Sequence, residues 1–217
     1  MLQRRTFILA AAGSLIALRS GLASEVFEDI TFKVVRKGTD VGRHAISFKP
    51  DGDRVTVTNA IDIRVKLAFI TVGSFKQDAV DVWQGDNLIR CKSRIVDSGD
   101  ISDVTMEADG DQLVVQGPKG RVRVPLGTMT DISFWNQNIV HQSILLDTQT
   151  TDLIDTTTTG GVEEMVDLGD GREVPGIRYE MTGSLGRSGQ IWYNKDGRFL
   201  RTSFTTRGEK FEYYPLG

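Results

Sequence analysis

From Arg54 to Leu67 apolar and polar side chains alternate. Val55, Val57, Ile61, Ile63, Val65 and Leu67 share one parity, and Arg54, Thr56, Thr58, Asp62, Arg64 and Lys66 share the other. Only Asn59 and Ala60 blur the pattern. A period of two predicts a strand with one face on a core and one in water. The run is much longer than the usual five or six residues. Long strands with one wet face occur where a sheet curves strongly or closes into a barrel.

Turn signals recur between such runs. They are Arg36-Lys37-Gly38-Thr39, Asp51-Gly52-Asp53, Gly85-Asp86-Asn87, Asp109-Gly110-Asp111, Gly117-Pro118-Lys119-Gly120, Gly169-Asp170-Gly171, Lys195-Asp196-Gly197 and Arg207-Gly208-Glu209. Gly, Asn and Asp tolerate the positive φ that tight hairpins demand. Hairpins join neighbouring antiparallel strands, so order in sequence approximates order in space. The pattern predicts an all-β fold: a strongly curved antiparallel up-and-down sheet or (half-)barrel of about a dozen strands. In the last third, Ile191, Tyr193, Phe199, Phe204, Phe211 and Tyr213 are bulky inward candidates.

Two stretches break the alternation. Ala68-Phe69-Ile70-Thr71-Val72-Gly73-Ser74-Phe75 places Phe69 beside Ile70 and follows them with Gly73. The plain reading is a corner or bulge where the strand bends. The functional reading is an apolar lip at the mouth of a cavity. The second stretch runs from Ser133 to Thr150 and gathers Trp135, Asn136, Asn138, His141, Gln142 and a Leu145-Leu146-Asp147 turn. Ile139, Val140 and Ile144 follow Trp135 at roughly helical spacing. One short helical segment near residues 133–147, laid against the concave sheet, would bury that face.

Residues 1–23 read as a cleavable signal peptide. A basic pair, Arg4-Arg5, precedes an apolar run from Phe7 to Leu18, and Gly21-Leu22-Ala23 offers a cleavage site. The paired arginines followed by Phe7 resemble a twin-arginine signal. A transmembrane anchor is the competing reading, but the run falls short of about 20 apolar residues and is followed by Arg19. Residues 24–217 are expected to form a single β-rich domain in the periplasm. Loss of Arg4, Arg5 and Arg19 leaves 23 basic against 29 acidic side chains, a net charge of −6. That sign argues against nucleic acid as a partner, and no polybasic segment would hold the chain stably on an anionic membrane. Cys91 is the only cysteine, so no internal disulfide can form.

The chemical inventory is thin. Two histidines and one cysteine do not make a zinc site without several carboxylates. His44 reads as a surface or cross-strand residue. Ser133, His141 and Asp147 lie within one segment, and a hydrolase built on them is conceivable. No G-x-S-x-G, phosphate-binding loop, dinucleotide fingerprint or calcium loop is present. Asp97–Asp103 fits a turn better than an oxygen cage. No catalytic residue, metal ligand or cofactor is therefore assigned. Trp135, Asn136, His141, Gln142, Phe69 and Ile70 are the candidate ligand-binding residues.

Val41-Gly42-Arg43-His44, Ile63-Arg64-Val65-Lys66, Phe134-Trp135-Asn136, Leu146-Asp147-Thr148-Gln149 and Ile191-Trp192-Tyr193-Asn194-Lys195-Asp196-Gly197-Arg198 resemble an uncharacterised family of exported bacterial proteins, a domain of unknown function. The family implies no established activity. The final strands are more distantly similar in architecture to open-barrel periplasmic lipoprotein carriers, an analogy of fold alone. The expectation is a non-enzymatic periplasmic protein binding or carrying an apolar, lipid-like or amphipathic envelope molecule. A hydrolase using the 133–149 segment and a structural or assembly protein of the envelope are the alternatives.

Overall fold

The computed structural model describes residues 27–184, 186–206 and 208–217. The segment read as a signal peptide lies outside them. Most of the described residues are in strands. The first eight strands are β1 (Ile30–Arg36), β2 (Thr39–Asp51), β3 (Arg54–Leu67), β4 (Ile70–Gln84), β5 (Asn87–Asp97), β6 (Asp100–Asp109), β7 (Gln112–Gly117) and β8 (Gly120–Pro125). A crossing segment holds β9 (Met129–Thr130), a 3-10 helix (Gln137–His141) and β10 (Ile144–Leu146). Five strands follow: β11 (Leu153–Asp167), β12 (Glu173–Gly183), β13 (Arg187–Tyr193), β14 (Phe199–Thr206) and β15 (Glu209–Leu216).

All fifteen strands share one sheet, in the order β8-β7-β6-β5-β4-β3-β2-β1-β15-β14-β13-β12-β11-β10-β9. Each neighbouring pair is antiparallel except β9 with β10. The outermost strands, β8 and β9, are consecutive in sequence, and only residues 126–128 join them. Four Cα steps reach at most about 14 Å. The two edges must therefore come back to each other, and the sheet wraps into a barrel whose seam carries no ladder. Side chains tie the turn after β10 to the first half of the sheet instead. Gln77 Nε2 on β4 donates to Thr148 Oγ1 at 3.0 Å, Gln149 Nε2 donates to Asp97 Oδ2 at 3.1 Å, and Lys119 pairs with Asp152.

Alternation places the core. Along β3, Val55, Val57, Ile61 and Ile63 are buried, as their parity requires. Asn59 keeps that parity and is also buried, so the apparent blur is a polar residue facing inward. All eight hairpin signals sit at strand ends. The Ala68 stretch holds a bulge, where the register slips between Val65 and Lys66 and leaves Val72 over, and also a turn. Leu67 pairs with Ile70, and Ala68-Phe69 form a hairpin turn with Ala68 at φ 54. No Gly, Asn or Asp announced it.

The helical segment is shorter and tighter than periodicity implied. It is a single five-residue 3-10 helix, capped by Asn136, whose Oδ1 accepts from Asn138 N at 2.9 Å. It stops one end of the barrel. Asn138 Nδ2 donates to Asp86 Oδ1 at 2.9 Å, in the β4–β5 turn, and Tyr193 Oη donates to the Phe134 carbonyl at 2.8 Å. Trp135 wedges among Phe27, Phe48 and Trp83, with centroids 6.0, 5.3 and 5.4 Å away and rings near perpendicular. Edge-to-face contact of this kind adds to the area buried.

Candidate functional site

The barrel is stopped at the Trp135 end and hollow beyond it. A cavity of about 780 Å3 runs toward the opposite end, where the β1–β2, β3–β4, β5–β6, β12–β13 and β14–β15 turns gather. Its walls are mainly apolar: Ile61, Ile63, Ile95, Leu145, Met181 and Phe211 are representative. Well-packed interiors hold few voids larger than a water. Pockets that bury small ligands span roughly 300–1,000 Å3 and carry a few polar groups on apolar walls.

One group of polar side chains is charged. Arg187 at the start of β13 donates from Nη1 to Asp131 Oδ2 at 2.8 Å and from Nη2 to Asp147 Oδ2. Asp131 Oδ1 also accepts from Thr148 N and Oγ1, at 3.0 and 2.9 Å. Asp147 Oδ1 accepts from Gln149 N and Thr150 N, at 2.7 and 2.8 Å, and so shapes the turn after β10. Burial first, and then the charge of Asp147, push the Asp131 carboxyl above its usual range, while Arg187 pulls the other way. Two carboxylates share one guanidinium, so the group is net negative. At the mouth Arg36 Nη2 pairs with Glu209 Oε1 at 2.8 Å.

A second polar chain crosses the inner face of β2 to β5. His44 Nε2 lies 3.2 Å from Asn59 Oδ1, and Asn59 Nδ2 donates to Asp81 Oδ2 at 3.4 Å. An amide oxygen only accepts, so the neutral imidazole carries its proton on Nε2. His44 is not on the surface: it is 1% exposed and packs against Phe32 and Tyr213. Burial lowers its pKa to about 4. Burial also raises Asp81 to about 7, and its Oδ1 has no hydrogen-bond partner.

The six residues named from sequence fall in two places, and none of them lines the cavity. Trp135, Asn136, His141 and Gln142 belong to the stopper. Trp135 is half-buried among aromatics, Asn136 caps the 3-10 helix, and His141 is exposed. Gln142 turns its side chain back to the Asn138 carbonyl at 3.3 Å. Phe69 and Ile70 stand on the β3–β4 hairpin, 101% and 69% exposed. The strand leading to them does reach the cavity, through Val65 and Val72. Asp131 and Arg187 were missed. They are 56 positions apart and carry no motif. Among the described residues, no cluster of three or more His, Cys, Asp or Glu side chains is placed to hold a metal.

No curated protein matches the chain. A beta-barrel-like protein of domain of unknown function DUF1849 from Brucella abortus has a similar solved structure. The TM-score is 0.60 at 11% identity, over 87% of this chain and 94% of that one, a likeness of fold alone. The domain of unknown function DUF6134 matches residues 32–215, from within β1 to within β15. With nearly the whole barrel inside that match, the chain belongs to the DUF6134 family.

Proposed function

We propose that this protein is exported to the periplasm by residues 1–23 and binds an apolar or amphipathic envelope molecule in the barrel cavity. The observation that carries the reading is the cavity itself: about 780 Å3 with apolar walls, kept open by a barrel that could have been filled with side chains. Arg36 and Glu209 at the mouth and the Arg187 group on one wall suit a ligand with a polar head and an apolar body. Ser133 is buried, and its hydroxyl is bonded to Thr130 at 2.8 Å. Asp147 is committed to Arg187 and two backbone amides. These commitments favour binding over a hydrolase built on Ser133, His141 and Asp147.

The test uses the chain from residue 24 onward, which keeps every described element. It is titrated with cis-parinaric acid, whose fluorescence rises in an apolar site. Saturable one-to-one binding, competed by a total lipid extract of the cell envelope, is expected. No saturable signal, with no co-purifying lipid in native mass spectra, would remove the reading. Fractionation of cells carrying the full chain checks the compartment, and a cytoplasmic location would overturn that half of the proposal.

A further inference from the structure

At its tip the β3–β4 hairpin parts from the ladders of both neighbouring strands. On one side β2 pairs with β3 only as far as Gly42 with Ile63. On the other, β5 pairs with β4 only from Asp97 with Phe75. In the ladder, residues 65–73 therefore pair only with each other, from Val65–Gly73 to Leu67–Ile70. Four residues past Ile63 make a two-stranded finger about 13 Å long. A free-standing ribbon of two strands is marginal in water. This one carries Leu67, Phe69, Ile70 and Val72 at 73, 101, 69 and 59% exposure. It turns through Ala68 at φ 54, a conformation that glycine would adopt with less strain.

We infer that this finger is a lipid-bilayer contact: Leu67, Phe69 and Ile70 enter the interfacial region of a membrane and bring the cavity mouth to its surface. Three observations favour a bilayer over a protein. Residues 64–73 contain Arg64 and Lys66 and no acid, on a chain that is otherwise net negative. Arg64 is held by Asp62, but Lys66 makes no ion pair among the described residues and suits anionic headgroups. The tip is a narrow projection, whereas a stable dimer needs roughly 800 Å2 per partner on a matched surface. A bilayer asks for no matching surface. Finally, the base of the finger is cavity wall: Val65, Val72 and Gly73 line the hollow. A membrane-bound tip thus sets the mouth beside the lipid, where an apolar ligand could pass between them. That last step rests on the binding reading above; the membrane contact does not.

The experiment is vesicle flotation with the chain from residue 24, which lacks the apolar run at 7–18 that would itself partition into lipid. Vesicles of phosphatidylethanolamine with phosphatidylglycerol are compared with neutral phosphatidylcholine. Wild type is expected to float with the anionic vesicles, and the double variant Phe69→Ser, Ile70→Ser to partition at least about tenfold less. A Phe69→Trp variant is expected to be quenched by brominated acyl chains. The double variant should keep its far-ultraviolet circular dichroism and bind cis-parinaric acid as wild type does, which separates the finger from the cavity. No flotation of wild type, or equal flotation of the double variant, would overturn the inference. So would a wild-type dimer that the double variant abolishes, because the tip would then be a self-association site. Flotation without cavity binding would leave the finger standing and remove the carrier reading.

Discussion

Gln77 and Thr148 lie 71 positions apart and meet inside the barrel, Nε2 to Oγ1, at 3.0 Å. Gln77 also donates to Ser93 Oγ at 3.1 Å. This buried amide ties β4 and β5 to the turn after β10, across the inside of the barrel. Side chains on inward parity therefore join the two ends of the sheet order from within. An unpaired buried amide would cost about 1–3 kcal/mol, so the match is specific.

The charged group beside the seam should contribute measurably. Arg187→Ala leaves Asp131 and Asp147 together with no cation. A loss of about 2–4 kcal/mol at pH 7 is expected, below the range for fully buried pairs because a third of Arg187 meets water. Protonation relieves the repulsion, so the loss should shrink as pH falls toward 4. Urea unfolding at pH 7 and pH 4.5 reads both numbers. An unchanged midpoint at pH 7 would show that the pairs carry no stability.

Asp81 and His44 set opposing pH dependences. Asp81 titrates near 7 when folded and near 3.8 when unfolded, so the native state holds the extra proton between those values. Its contribution falls as pH rises from about 4 to 7. His44 titrates near 4 when folded and 6.5 when unfolded, so the unfolded chain holds the extra proton. Its contribution rises over about pH 4 to 6.5. The wild type should therefore look nearly flat across that window. Asp81→Asn should uncover the histidine slope and exceed wild type at pH 8 by as much as roughly 4 kcal/mol. Stability curves for both proteins from pH 4 to 8 decide it; parallel curves would contradict the assignment.

Met181 faces the cavity from β12 and is only half-buried. Met181→Trp fills part of the hollow. The affinity for cis-parinaric acid should fall at least about tenfold, while the thermal midpoint stays within a few degrees. Undiminished binding would place the probe elsewhere on the protein.

Trp135 stops the other end. Trp135→Ala should cost about 3–5 kcal/mol, because the aromatic box collapses only partly around the space left. Trp135→Phe should cost less, since the indole Nε1 has no hydrogen-bond partner to lose. Denaturant titrations of the two variants give the ranking, and equal losses would mean that ring size does not matter there.

Much of the fold was legible because its information is local. Hairpin positions follow from Gly and Asp turn chemistry, and inward faces follow from parity along strands as long as β3 and β4. The Ala68-Phe69 turn escaped because it lacks turn residues: the φ of Ala68 is imposed by the ladder on either side. The 133–147 segment was recognised as the element that interrupts the sheet, but its helical spacing overstated its regularity. Packing of Trp135 and Tyr193 holds it as one 3-10 turn followed by a three-residue strand. Of the two readings of His44, cross-strand held, through Asn59 on β3, and surface did not. Its inward position agrees with the parity it shares with Ile46 and Phe48 and with its register beside Ile61 on β3.

By itself the sequence determined an all-β meander, eight of its turns, a stopper around Trp135 and the family resemblance. Each of these depends on contacts within about fifteen residues, where period and turn chemistry are sufficient. Only the tertiary structure decided that the sheet returns on itself, that a hollow remains inside it, and that Asp131, Asp147 and Arg187 share one wall. It also decided that the tip of the β3–β4 hairpin parts from both neighbouring strands. Closure, enclosed volume and relative strand length depend on the pairing of distant segments, and no local pattern records how far a strand extends beyond its neighbours.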